Sequence, residues 1–315
     1  MYGENHIDDA RRFIKAWMSD HIAHFAPRLY VKLTAQTGRG AAEESVQQIA
    51  DYFRKCFYEY FQVLNVDQDK IHDFLKNKKI LEYGPGNITG IGLLMYAYGA
   101  EQVICVDRFP LVSMTQKNID VLRNLIDGLK GKEHIRAMRA FNEDGNPASG
   151  FASHGIKYLV RKSGLSGLAK NVDIIISRAV LEHVNDLDAT FNDMHNALLD
   201  TGMAIHQVDL KSHGLHRKNP LDFLTWPPRL WSLMYGHKGV PNRWRVDKYR
   251  QVIAEQGFKM VALHPTVLAD ATDMVAVRPH LAAPFRAVSD EDLSWLGFWL
   301  VINKAETKSA HPSHP

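Results

Sequence analysis

The segment Lys79-Ile80-Leu81-Glu82-Tyr83-Gly84-Pro85-Gly86-Asn87-Ile88-Thr89-Gly90-Ile91-Gly92 constrains this chain more than any other. Ile80 to Tyr83 read as a buried strand that breaks into a glycine loop and resumes as a helix over residues 88–98. Glycines at 84 and 86 let the backbone bend sharply and leave no Cβ in the way of a ligand. The helix start that follows offers unpaired N–H groups to polar or anionic atoms. A second strand over residues 102–106 runs into Asp107. A carboxylate about twenty residues past such a loop is where an open α/β sheet holds a ribose by its hydroxyls. These features together predict a βαβ unit that binds a nucleoside.

A dinucleotide fingerprint requires G-x-G-x-x-G, and the third glycine position falls here on Thr89. Glu82 stands two residues before the first glycine. A carboxylate there would repel a pyrophosphate and suit a cationic ligand, such as an amino acid with a free amine. Glu82-x-Gly84-x-Gly86 followed by Asp107 resembles the cofactor motif of the class I S-adenosylmethionine-dependent methyltransferases, over about Lys79 to Lys304. The resemblance implies S-adenosyl-L-methionine as cofactor, its methionine part passing the glycine loop and its ribose held by Asp107. It also implies an α/β, Rossmann-like, seven-stranded mixed sheet with helices on both faces and the last strand antiparallel between strands five and six.

Arg108-Phe109-Pro110 follows the ribose acid, and a helix is expected over residues 111–129. Arg108 and Phe109 are cofactor candidates by position. Phe109 either stacks on the adenine or joins the core. Residues 130–154 read as a loop-rich insertion, with the third strand at 156–160 and an alternative at 134–138. Family members carry an acid just after strand three, where this chain has Arg161 or Lys162; Asp144 is the candidate under the other alignment.

The run 172–177 reads as the central fourth strand. It opens into Ser177-Arg178-Ala179-Val180-Leu181-Glu182-His183-Val184, and Ser-x-x-x-Leu-Glu-His-Val resembles a phrase in many small-molecule and sugar methyltransferases. Ser177 to Ala179 would line the cofactor at the strand's carboxyl end. Glu182 and His183 fall at the cleft edge, and His183 either braces the loop or takes part in the chemistry. After a helix over 187–199, strand five (203–208) leads into Asp209-Leu210-Lys211-Ser212-His213-Gly214-Leu215-His216. His206, Asp209, His213 and His216 lack regular ligand spacing, so no metal is expected. The reading of this loop is His213 as general base with Asp209 fixing its tautomer.

The remaining chain divides around this core. Residues 1–78 read as a helical N-terminal extension or lid, with Val46, Ile49, Phe53, Phe57 and Phe61 at helical spacing and a turn at Gly38-Arg39-Gly40. It is expected to pack on the sheet with part of one helix facing the cleft. Residues 79–304 form the methyltransferase domain, with insertions near 130–154, 214–245 and 265–293. The aromatic and arginine-rich stretch 217–245 would serve the acceptor, cap the cleft as a satellite core, or do both; it loosely resembles glycan-modifying methyltransferases. A helix at 246–256, strand six at 258–263, the final strand at 294–303 and a disordered tail at 305–315 complete the reading.

With 38 Lys+Arg against 35 Asp+Glu, the net charge of +3 gives no ground for a nucleic-acid partner. Cys56 and Cys105 make no disulfide framework. No apolar run reaches membrane-spanning length and the first twelve residues lack a signal-peptide core, so a cytoplasmic protein is expected. The donor's sulfonium is already activated, so the chain's task is alignment, exclusion of water and removal of a proton. The expected function is O-methylation of a small molecule, sugar or glycan. N-methylation and a silent cofactor-fold partner protein are the alternatives; Thr89 and Glu82 argue against a nicotinamide oxidoreductase.

Overall fold

Strands covered on both faces read as unbroken apolar runs, and β1 (Lys79–Tyr83) shows it: every residue after Lys79 is buried. In this computed structural model, which describes residues 6–34, 44–161, 170–238 and 240–305, β1 is an interior strand of a seven-stranded sheet. The others are β2 (Gln102–Asp107), β3 (Ile156–Val160), β4 (Val172–Arg178), β5 (Leu198–Asp209), β6 (Phe258–Leu268) and β7 (Trp295–Lys304), in the order β3-β2-β1-β4-β5-β7-β6. The first five pair in parallel, while β7 runs antiparallel between β5 and β6. The order reverses at β1, with β2 on one side and β4 on the other, which leaves a crevice at its carboxyl end.

The helices are α1 (His6–Phe25), α2 (Pro27–Thr34), α3 (Val46–Val63), α4 (Ile71–Leu75), α5 (Gly90–Ala97), α6 (Gln116–Asp127), α7 (Gly131–Met138), α8 (Leu187–Ala197), α9 (Pro228–Tyr235), α10 (Val246–Glu255), α11 (Ala271–Val277) and α12 (Asp290–Ser294). Alternation along the strands sends Ile80, Val103 and Ile176 to a core shared with α3, α5 and α6. Leu81, Ile104 and Ile175 face the opposite core, under α8 and α10.

The third strand lies at 156–160, and the segment expected as loop or alternative strand is the helix α7. Tertiary contact decides it. Ala137 is buried, and Arg136 donates to the carbonyls of Tyr96 (3.0 Å) and Ala100 (2.7 Å) at the end of α5. The helix expected from 111 starts only at Gln116, where Thr115 caps the Asn118 amide.

The N-terminal helices divide between two supports. A capping box of Ser45 and Gln48 starts α3, and its aromatic stripe packs on the sheet's flank, with Phe57 4.7 Å from the Tyr98 ring. α1 instead rides on the segment 217–238. Asp9 pairs with Arg217 at 2.7 Å, and Asp20 accepts from the His237 and Lys238 amides at 2.9 and 3.0 Å. The aromatics of that segment turn inward. Trp226 and Trp231 are buried, with Arg217 4.8 Å over the first and Arg243 4.5 Å over the second. They form a satellite core with Phe223 and Phe285, not an open platform for a sugar. Gly38-Arg39-Gly40 and residues 306–315 lie outside the described residues. No described helix is long and apolar enough to cross a membrane.

Candidate active site

Gly84 and Gly86 adopt φ of +64° and +74°, which favour glycine. A Cβ on Gly84 would lie 2.5 Å from Val180 Cγ2, so the loop after β1 passes the loop after β4 only without a side chain. Across the crevice, Asp107 ends β2 at 8% exposure. Its Oδ1 accepts from the Phe109 amide at 3.3 Å, and the Gly86 amide faces the carboxylate as well. Its Oδ2 is buried with no hydrogen-bond partner. An orphaned carboxylate oxygen beside a bare glycine bend fits a ribose hydroxyl, which would donate to it.

Glu82 departs from expectation. Strand alternation turns its carboxylate into the protein, where it accepts from Cys105 Sγ at 3.3 Å and lies by Gly92 in the first turn of α5. It supports the start of that helix and does not present itself openly to a cationic amine. Burial pushes its pKa up to about 7, and pushes Asp107 up to about 6. A ligand with hydroxyl donors favours Asp107 ionised. Cofactor affinity is therefore expected to rise between about pH 5 and about pH 7, with net proton release on binding. Calorimetry in buffers of different ionisation enthalpy checks this; a flat affinity across that range would contradict it.

Three further cofactor candidates are engaged elsewhere. Phe109 is buried against Ala23 and Tyr30, its ring 5.8 Å from that of Tyr30, which places it in a small core under α1 and α2. Ser177 Oγ lies 2.7 Å from His206 Nδ1 in the interior, and burial lowers the His206 pKa to about 3, so this imidazole is neutral. Arg108 bonds Asn185 Oδ1 at 3.4 Å, and Asn185 donates to the Gly236 carbonyl at 3.1 Å. This bridge joins the loop after β2 to the loop after β4, and β1 lies between those strands. After β3, Arg161 meets Asp107 through the backbone, its amide donating to the Asp107 carbonyl at 2.8 Å. Asp144 sits in the turn after α7. Sequence reasoning missed Tyr158, whose hydroxyl ties the Asp107 loop by donating to the Phe109 carbonyl at 3.0 Å.

At the carboxyl ends of β4 and β5 the histidines sort differently from expectation. Asp209 does not orient His213 through its carboxylate, which accepts from the Lys211 amide at 3.0 Å. Only its main-chain oxygen approaches His213 Nε2, at 3.4 Å. His216 bonds Ser212, and His206 belongs to the Ser177 pair. His213 meets Glu182 and His183 instead. Its Nε2 is 3.9 Å from Glu182 Oε1, the His183 Nε2 is 3.8 Å from the same oxygen, and the two rings stand 4.9 Å apart. Glu182 is buried, and burial pushes its pKa well up. Ala179 and His213 take φ of +52° and +50°, a costly left-handed conformation held on either side of this acid. The Leu-Glu-His phrase signals two of the three residues; nothing in sequence spacing brings in the third from the next strand's loop. From α3, Glu59 pairs with Arg178 at 2.6 Å, so that helix reaches the same edge of the sheet.

A switch-point crevice with a glycine bend and an unsatisfied buried carboxylate, in a sheet whose last strand is inserted antiparallel, fits a Rossmann-like enzyme. A family model described as a methyltransferase domain matches residues 52–263, and the chain belongs to that family. It is an enzyme that transfers methyl groups, and its cofactor is S-adenosyl-L-methionine. No curated protein matches it. Among solved structures it is similar to an S-adenosylmethionine-dependent methyltransferase of Mesorhizobium loti, at 16% identity over 73% of this chain and 92% of that one, TM-score 0.40. It is also similar to a TehB-like methyltransferase of Corynebacterium glutamicum, at 13% identity over 82% and 99%, TM-score 0.36. Likenesses this remote say nothing of the acceptor.

Proposed function

We propose that this methyltransferase acts on a hydroxyl oxygen of a small molecule or sugar. The observation that carries the reading is the group Glu182, His183 and His213 at the carboxyl ends of β4 and β5, next to the strand that carries the glycine bend. Bound S-adenosyl-L-methionine supplies an electrophilic methyl group. A hydroxyl is a poor nucleophile until it loses its proton, and an acid–histidine group is suited to relieve it of one near neutral pH. A neutral amine already carries a free lone pair and would need no such group. Gly84, Gly86 and Asp107 hold the cofactor in this reading, and the Arg108–Asn185 bridge closes over it. The loop 210–216 and the rim of the 217–245 segment then select the acceptor.

The test is transfer of an isotope-labelled methyl group to a panel of hydroxyl and amine acceptors, sugars included, with the methylated atom located by mass spectrometry and NMR. Transfer to oxygen is the expected result. His213→Ala should then lower kcat by at least about tenfold while cofactor affinity holds. Methylation of nitrogen, with turnover unaffected in both His213→Ala and His183→Ala, would replace this reading.

A further inference from the structure

Glu182 is 1% exposed, and neither of its carboxylate oxygens has a hydrogen-bond partner. Its main chain is held firmly. The Asn242 amide donates to the Glu182 carbonyl at 2.6 Å, and the Asn242 side chain donates to the Leu181 and Val184 carbonyls at 2.9 and 3.1 Å. The Glu182 and Asp209 amides face this carboxylate, neither at full hydrogen-bond geometry, and a buried carboxylate so weakly met is costly unless it holds a proton or a cation. Oε1 faces His183 Nε2 at 3.8 Å and His213 Nε2 at 3.9 Å, and the ligand atoms of the three residues all lie within 4.8 Å of one another. These gaps are too long for hydrogen bonds. An ion about 2.1 Å from each of its ligands in a tetrahedral site separates them by about 3.4 Å, so the Glu182–histidine gaps need to close by about half an ångström and the two imidazoles by up to about an ångström or slightly more.

We infer that Glu182, His183 and His213 bind one divalent transition-metal ion. Two imidazoles and one carboxylate suit zinc, manganese, cobalt or iron(II), whereas magnesium and calcium take oxygen donors. To join the site the His213 ring exchanges its long contact with the Asp209 carbonyl for the ion. The Asp209 carboxylate and the Lys211 ammonium, one of each charge, are the other charged groups that act on Glu182. Three protein ligands leave a position open on the solvent side, where His213 is exposed.

The use of this ion rests on the O-methylation reading; its binding does not. An acceptor hydroxyl entering the open position is made more acidic by the cation. It loses its proton to solvent and its oxygen forms the new O–C bond. The C–S bond that breaks leaves its electron pair on sulfur, and no oxidant or reductant is needed. Both histidines stay neutral as ligands in this arrangement.

The experiment uses the full chain stripped with a chelator, then titrated with Co²⁺ (visible absorption) and Mn²⁺ (electron paramagnetic resonance) without any acceptor. One equivalent of Co²⁺ with ligand-field bands of a histidine site is expected. Glu182→Gln and His213→Ala should each weaken binding by more than about a hundredfold, beyond what outer-shell changes cause. Circular dichroism confirms folding, and His213→Ala changes an exposed ring. Asp107→Ala should leave Co²⁺ binding unchanged while it weakens the cofactor, which separates the two sites. Absence of stoichiometric uptake by the folded wild type overturns the inference, as does uptake indifferent to both substitutions. O-methylation by a chelator-treated enzyme at full rate would overturn the ion's part in the reaction and leave the proposed reaction standing with a histidine as direct base.

Discussion

Asp107→Ala is expected to weaken S-adenosyl-L-methionine binding by about tenfold to a hundredfold, the loss of hydrogen bonds to a charged group worth about 1.5–3 kcal/mol. The orphaned Oδ2 is the atom that a ribose hydroxyl would satisfy, and Oδ1 already has the Phe109 amide. Asp107→Asn keeps the shape and one acceptor, so its loss should be smaller. The same substitution should change stability in the opposite direction. Burial raises the Asp107 pKa from 3.8 to about 6. The folded chain therefore keeps a proton that the unfolded chain gives up as pH rises through about 4. The group costs nothing below that point, an increasing amount as pH rises to about 6, and a constant amount above. About two pKa units correspond to about 3 kcal/mol at most. Asp107→Asn should match the wild type near pH 4 and exceed it in urea-denaturation stability by up to that figure at pH 7. Unchanged cofactor affinity in Asp107→Ala, measured by calorimetry, would remove Asp107 from the site.

What could be read in the sequence follows from how local each feature is. β1, β2 and β4 are short runs with both faces covered, so their apolar stretches mark them directly, and the antiparallel place of β7 follows from family resemblance. Gly84, Gly86 and Asp107 lie within a single βαβ unit, where spacing alone sets the geometry. What the sequence left open or misread depends on distant residues. Phe109 is covered by Tyr30, far upstream, so no neighbour could decide between stacking and core. Asp209 and His213 are close in sequence, but the Asp209 carboxylate goes to the Lys211 amide while His213 finds Glu182 across two strands. α7 exists because Arg136 reaches the end of α5. Trp226 and Trp231 turn inward because Arg217 and Arg243, with α1 and the 274–296 segment, give them a core to join.

Arg245→Met is expected to destabilise the chain by about 1–3 kcal/mol or more, the cost of leaving buried carbonyls without their donor. Arg245 is among the largest side chains buried to below 2%. It lies at the start of α10, and its guanidinium donates to the carbonyls of Leu210 (3.1 Å), Leu293 (3.2 Å) and Trp295. One side chain thus ties together the exit of β5, the end of α12 and the entry to β7. The β5 exit and the β7 entry are already paired, the Leu210 amide donating to the Leu296 carbonyl at 2.9 Å, and Arg245 locks the start of α10 onto that junction. Burial lowers the Arg245 pKa to about 10, so it stays charged at neutral pH and the carbonyls supply its solvation. Methionine fills much of the volume and leaves three buried carbonyls without this donor, which is why the cost exceeds that of a lost apolar contact. Arg245→Lys keeps a charge but loses the fork that reaches three acceptors, so it should fall between the two. The Leu210 carbonyl immediately precedes the loop that carries His213. Arg245→Met should therefore also lower turnover more than cofactor affinity, since Gly84 and Asp107 are borne by β1 and β2 on the other side of β4. Chemical denaturation showing a loss below about 1 kcal/mol would mean that these carbonyls find other donors and that the β5–β7 ladder and apolar packing hold the junction without the guanidinium.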